Sequence, residues 1–177
     1  MIATGILITH PSLSNGKKVM ITIDFLKYHP ECIASLANIW HEVLGKIWLP
    51  DVPIARVEDN LHNHLNSEQL PLTFVAFHND KPVGMCSLRE NDGIRPDLTP
   101  WLGSLVVSPP YQKQGIARIL IDRIKAKAAE MDFKTLYLFA FDATIPDYYA
   151  RLGWTTIAED EFKGHPVTVM ETMSTHR

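Results

Sequence analysis

Cysteine is scarce, basic residues do not outnumber acidic ones, and no apolar run is long. Cys32 and Cys86 are the only cysteines in 177 residues. Two thiols allow at most one bridge and exclude both a disulfide framework and a cysteine-based metal site. They read as buried thiols in a reducing cytoplasm. Lys plus Arg number 17 against 20 Asp plus Glu, so the basic surface that nucleic-acid binding needs is missing and no nucleic-acid partner is expected. No apolar stretch approaches the roughly 18 residues that span a bilayer, and no membrane partner is expected. At the N-terminus the basic pair Lys17–Lys18 follows the apolar stretch, the reverse of a secretion signal.

What is present suits one packed domain. The chain is 46% hydrophobic and 21% charged, a balance that predicts a core rather than disorder. Its length matches one domain at about 150 residues each. Residues 1–18 read as a loose lead-in and 19–177 as the domain. Residues 19–28 predict a strand, and Pro30 opens a helix that carries Ile33, Leu36, Ala37, Trp40, Val43, Leu44 and Ile47 and ends at Pro50. A more polar helix covers 54–66. His62 and His64 lie two apart there, pointing to different sides, so they read as solvated residues rather than a metal pair. Strands over 72–78 and 81–90 flank the turn Asn79-Asp80. The run 101–107 is short and almost wholly apolar, as in a strand buried on both faces.

Residues 114–131 predict an amphipathic helix. Its stripe is Ala117, Leu120, Ile121, Ile124, Ala128 and Met131, with Arg118, Asp122, Lys125 and Lys127 facing elsewhere. A strand (135–141), a short helix (146–152) stopped by Gly153, and strands over 154–159 and 167–173 complete an α/β order of β, α, α, β, β, β, α, β, α, β, β.

The stretch from Trp101 to Arg118 carries the chemistry. A buried strand ends at Val107, a short loop follows, and a long helix starts near Gly115. Glycine there lets a ligand approach the backbone. The first helical turn has amides without helical partners, at the positive end of the helix dipole. That combination suits a phosphate, although a strand, a loop and a helix are more often plain punctuation. The loop matches neither the P-loop nor the dinucleotide fingerprint.

Two motifs carry a resemblance. Gln112-Lys113-Gln114-Gly115-Ile116-Ala117 fits [QR]-x-x-G-x-[GA], and Tyr148-Tyr149-Ala150-Arg151-Leu152-Gly153-Trp154 fits an aromatic-Tyr-x-x-x-Gly-aromatic pattern. In this order, with the strand 135–141 between them, they resemble the GNAT superfamily of acyl-CoA-dependent N-acyltransferases over about residues 72–173. The resemblance implies an α/β fold with a mixed, mostly antiparallel sheet, splayed between the strands 101–107 and 135–141 and flanked by helices. It implies acetyl-CoA as co-substrate, no metal, and a direct attack by a primary amine in a ternary complex.

The implied cofactor contacts are Leu105, Val106 and Val107 along the pantetheine arm and Gln112, Lys113, Gln114, Gly115, Ile116 and Ala117 around the pyrophosphate. Arg118 adds charge, and Asp142 lies near the arm. The resemblance gives Tyr149 as general acid to the sulfur leaving group. An alkyl amine must lose a proton first. Gly103 and Ser104 stand where some members carry an acid, so Glu90 is the expected base, with Asp92, Asp97 and His165 behind it.

The loop from Arg95 to Trp101 resembles R-P-[DE]-L-[TS]-P-W-L, which one branch of the family carries. It places Arg95 and Trp101 at the acceptor pocket, with Trp101 also open to a core reading. The acceptor is expected to be a small-molecule amine. A protein or peptide amine is the alternative, and a non-catalytic acyl-CoA-binding module a further one. The acidic balance leans toward a cationic acceptor such as an aminosugar or polyamine. A homodimer through the strand 167–173 is one arrangement that the resemblance raises.

Overall fold

The computed structural model describes residues 8–10 and 19–175. The eight strands are β1 (Ile8–His10), β2 (Val19–Phe25), β3 (Leu72–His78), β4 (Lys81–Arg89), β5 (Trp101–Val107), β6 (Thr135–Ala140), β7 (Thr155–Phe162) and β8 (His165–Met173). The helices are α1 (Ile33–Trp40), α2 (Lys46–Trp48), α3 (Ile54–His62), α4 (Ile116–Glu130) and α5 (Ile145–Arg151). One sheet runs β1-β2-β3-β4-β5-β6-β8-β7. Neighbours are antiparallel except β5 and β6, which are parallel. The expected lead-in is described only at Ile8–His10, which pair with Val19–Ile21.

Helices cover both faces. On one, Ile116, Leu120, Ile121, Ile124 and Ala128 of α4 pack on Phe74, Cys86, Leu88 and Leu136. On the other, Leu36, Ala37 and Trp40 of α1, with Val57 and Leu61 of α3, pack on Val75, Phe77, Met85 and Val106. This explains the apolar runs in β3, β4 and β5: alternate side chains enter opposite cores. Cys32 and Cys86 are free and buried, one in each core.

Turn chemistry fixes both hairpins. Asn79 (φ 47°) and Asp80 (φ 71°) join β3 to β4, and Lys163 (φ 48°) and Gly164 (φ 82°) join β7 to β8. Positive φ at both central residues matches the twist of the strands they connect. α1 runs on through a π-turn, His41–Gly45, into α2. A Cβ on Gly45 would come within 2.5 Å of the Trp40 ring, so that ring rests on the glycine.

Two side chains expected in solvent are buried. α3 stops at His62, and the chain turns inward so that His64 Nδ1 meets Thr73 Oγ1 at 2.8 Å. Thr73 Oγ1 meets Ser87 Oγ at 2.7 Å, so a short polar chain ties the segment after α3 to β3 and β4. Lys127 lies over the Phe25 ring, and its Nζ is 3.4 Å from Glu68 and 3.6 Å from Glu130. Its stem follows apolar surface while its ammonium reaches the carboxylates, which helical periodicity alone does not foresee.

His64 sets a pH limit on stability. Burial pushes its pKa down from 6.5 to about 3, with the positive charge of Arg89 adding to the effect. Between these values the unfolded chain binds a proton that the native chain refuses. This contribution is therefore complete above about pH 6.5 and is lost as pH falls toward 3. Urea unfolding should show about 2 kcal/mol of loss from this residue between pH 7 and pH 5. His64→Gln should flatten that limb, and an equal slope in both proteins would contradict the assignment.

Candidate active site

The cleft begins where the sheet divides. Among the described residues, β5 and β6 pair at one register point, Trp101 with Tyr137. The Tyr137 amide also donates to Pro100 O at 3.1 Å. The strands are parallel and joined at their N-terminal ends, so they diverge toward Val107 and Phe141. A cleft of about 380 Å³ fills the divergence, lined on the sheet side by Ser104, Leu105, Leu138, Phe141 and Tyr149. Trp40, Leu44 and Trp48 close it from the α1–α2 side.

β5 carries a bulge at this place. Met85 pairs with Val106 and Ser87 with Gly103, so Ser104 and Leu105 together oppose Cys86. Ser104 takes φ 48°. A bulge bends its strand and re-aims side chains, and here both bulge residues line the cleft.

Tyr149 is buried at 8% exposure, with its ring 5.7 Å from Trp154 and 5.5 Å from Tyr148. Burial pushes its pKa well above 10, and the Cys86 and Tyr148 groups act in the same direction. The phenol therefore stays protonated. α5 owes its position to Asp142, whose Oδ1 accepts the Thr144 amide and hydroxyl, each at 2.8 Å. These bonds hold the Asp142 carboxyl below its usual range. Tyr148 is half-buried and is not among the cleft-lining residues, so only one of the pair faces the wedge.

At the far end of β5 the chain turns through Pro109–Tyr111 into α4. Gly115 is the N-cap of α4 at φ 84°, no side chain caps the helix, and its first turn holds no acid. A Cβ built on Gly115 meets nothing within 4 Å, so the space above the turn is open. Lys113, Gln114 and Arg118 are exposed around it, while Ile116 is buried beneath and Ala117 partly so. Gln112 has a different role from the one expected. Its amide donates to Pro109 O at 3.2 Å and its side-chain amide to Val107 O at 2.9 Å, fastening the strand end. The cradle of available amides thus starts at Lys113. Along β5, Leu105 lines the cleft, whereas Val106 and Val107 bury their side chains in opposite cores.

Of the expected bases Asp92 lines the cleft, while Glu90 and the expected acceptor residue Arg95 lie outside it. Glu90 is exposed past the end of β4 and is not among the lining residues. Arg89 and Asp92 line the cleft instead, joined at 2.6 Å, with Asp92 only 11% exposed. Arg89 also donates to Ser104 Oγ. Gly103 makes room for this pair, since a Cβ there would come within 3.0 Å of Arg89 Nη1 and 3.1 Å of Asp92 Oδ1.

Arg95 donates from Nε and Nη2 to the two carboxylate oxygens of Asp97, at 3.1 and 2.9 Å, outside the cleft. Trp101 is fully buried, its indole N–H given to Leu98 O at 2.8 Å. It is a core residue that anchors the loop before β5. His165 stands edge-on to Trp48 and Phe141, at 5.7 and 5.8 Å. Among the described residues no group of His, Cys, Asp and Glu is arranged to hold a metal, and no helix is long and apolar enough to cross a membrane. The sequence reading missed Arg89, Trp48, Phe141 and Phe162. The small residue Gly103 was its one hint of a side chain packed over β5.

If Trp101 is core, Trp101→Ala should lower the unfolding free energy by about 3–5 kcal/mol. Chemical denaturation checks this. A variant of unchanged stability would return Trp101 to the pocket wall.

The family model for the acetyltransferase (GNAT) family matches residues 34–154. Among solved structures, a probable acetyltransferase from Staphylococcus epidermidis aligns with a TM-score of 0.68 at 18% identity, covering 88% of this chain and 100% of that one. The ribosomal-protein-S18-alanine N-acetyltransferase from Escherichia coli aligns at 0.66 and 17%, covering 89% and 96%. An aminoglycoside 6'-N-acetyltransferase complexed with coenzyme A aligns at 0.66 and 17%, covering 88% and 98%. No curated protein sequence matches. The structural likeness carries the fold, the family model spans most of the domain, and the chain belongs to the GNAT acetyltransferase family.

Proposed function

We propose that this chain transfers an acetyl group from acetyl-CoA to the primary amine of a small molecule. The observation that carries the reading is a sheet opened at one rung, with Tyr149 inside the opening and an uncapped helix start at its far end. The free edge of β5 beyond Trp101 offers amides and carbonyls to the pantetheine arm, as an added strand does. The pyrophosphate fits the amides from Lys113 to Ala117, where the helix dipole and the nearby Lys113 and Arg118 favour negative charge. Asp142 serves the arm indirectly, by holding the turn that presents α5. The family relatives named above differ in their acceptors by name, so the acceptor is read from this chain's own cleft.

The amine nitrogen bonds to the thioester carbonyl carbon. As the tetrahedral centre collapses, the carbon–sulfur bond breaks and its electron pair goes to sulfur. Holding both reactants in the cleft removes much of the entropic barrier. An amide of β5 near Val107 is the donor proposed for the developing oxyanion. Tyr149 supplies the proton that meets the sulfur. Its raised pKa makes it first a hydrogen-bond donor to the growing thiolate, with transfer late. The amine's own proton leaves through water toward Asp92, one of the two carboxylates that line the cleft. Two free, buried thiols agree with work in a reducing compartment, and we place the protein in the cytoplasm.

Tyr149→Phe should lower kcat about ten- to hundredfold while acetyl-CoA affinity holds, read by release of free CoA thiol and by calorimetry. Unchanged turnover would remove Tyr149 from the mechanism. Because burial raises its pKa, Tyr149 should cause no fall in kcat/KM below about pH 10. A descending limb near pH 8–9 that Tyr149→Phe abolishes would contradict this. Gly115→Glu should cost acetyl-CoA affinity tenfold or more, in the range of about 1.4 kcal/mol, since its carboxylate enters the phosphate space. Normal binding by that variant would refute the phosphate cradle.

A further inference from the structure

The cleft is rich in aromatic rings and poor in free carboxylates. Among the described residues its charged lining is Arg89, Asp92 and Asp142. Arg89 holds Asp92 at 2.6 Å, and Asp142 accepts the Thr144 amide and hydroxyl on Oδ1. The hollow beside it, which shares Trp48, carries Arg56 and Lys163 against Asp51, so the approach is not acidic either. The walls are flat and apolar. Trp48 stacks on Phe141, with centroids 5.4 Å apart and planes 8° from parallel. Phe162 packs on Phe141 at 5.9 Å and on Phe139 at 5.1 Å. Trp40, its ring seated on Gly45, adds to the lining from the α1–α2 side.

We propose that this cleft takes an arylalkyl monoamine as acceptor, rather than the polyamine or aminosugar that the net charge of the chain suggests. The inference rests on the N-acetyltransferase reading and names its substrate class. Three arguments carry it. A polycation brings several ammonium groups out of water, and each needs a carboxylate that is not already paired. Here Arg89 neutralises Asp92, and Asp142 alone keeps a charge that its Thr144 partner does not cancel, enough for one ammonium and not for several. An aromatic body, in contrast, gains both area burial and ring-to-ring geometry on Trp48, Phe141 and Phe162. Finally, apolar walls disfavour the ammonium form, so a bound monoamine loses its proton more readily and arrives as the nucleophile. The group-transfer step stays as written above. Nitrogen replaces sulfur on the acetyl carbon, the acceptor loses one proton, and the thiolate gains one.

The test is a set of kcat/KM values with acetyl-CoA for 2-phenylethylamine, propylamine, spermidine and kanamycin, read by thiol release. Acetyl-CoA binding to the same preparation is measured by calorimetry. The proposal expects 2-phenylethylamine to exceed spermidine and kanamycin by about tenfold or more. It also expects Trp48→Ala to lower the ratio of 2-phenylethylamine to propylamine at least fivefold, and Trp48→Phe to recover most of it. Spermidine or kanamycin as the better substrate would overturn it, as would a ratio that Trp48→Ala leaves in place. Acetyl-CoA binding without turnover of 2-phenylethylamine would overturn the substrate class alone. Failure to bind acetyl-CoA would remove the enzymatic reading beneath it.

Discussion

One rung between two parallel strands governs this molecule. Trp101 pairs with Tyr137, and beyond that point β5 and β6 part. A sheet that stayed paired would bury its own edges and leave no room for a thioester. The split is maintained from both ends. At the closed end, the fully buried Trp101 packs beside Tyr137 and Phe139 and ties its indole to Leu98. At the open end, Gln112 fastens the last carbonyl of β5. Between them, the bulge at Ser104 and Leu105 bends β5. Unpaired strand edges are ordinarily a liability. In this chain the exposed edge lies inside a cleft covered by α1 and α2, where a ligand can pair with it.

The same constraint explains where the chemistry sits. α5 brings Tyr149 into the wedge from the β6 side, through a turn organised by Asp142. α4 sends its uncapped N-terminus to the mouth from the β5 side. The paired Arg89 and Asp92 enter the cleft from the end of β4 and the loop after it, and Asp142 from the turn after β6. Each element supplies one function, and the parting of the strands gives them a common space.

Much of the frame was legible in the sequence because it is written in local chemistry. The strands 72–78 and 101–107 are mostly apolar, and Asn79-Asp80 can take the left-handed angles of a tight hairpin. The Gln112–Ala117 and Tyr148–Trp154 motifs mark a helix start and a helix end that backbone geometry alone requires. What was not legible depends on the return of distant chain. By sequence Glu90 reads as a strand-end acid, but the strand stops one residue earlier, and the loop folds Asp92 back onto Arg89. The helical pattern over 54–66 includes His64, and the stop of α3 at His62 turns it inward. Lys127 lies off the stripe of α4, yet Phe25 and Glu68, far away in sequence, make a place for it. The aromatic wall of Trp48, Phe141 and Phe162 joins three separated segments, so no window of sequence contains it.

The central claim is that one ligand occupies the strand opening and the helix start together. Hydrogen–deuterium exchange with and without saturating acetyl-CoA tests it directly. The account expects slowed exchange at the amides of Leu105–Val107 and at those from Lys113 to Ala117, with the outer hairpin of β7 and β8 unchanged at its turn. Acetyl-CoA binding that protects neither segment, or protects one without the other, would contradict it.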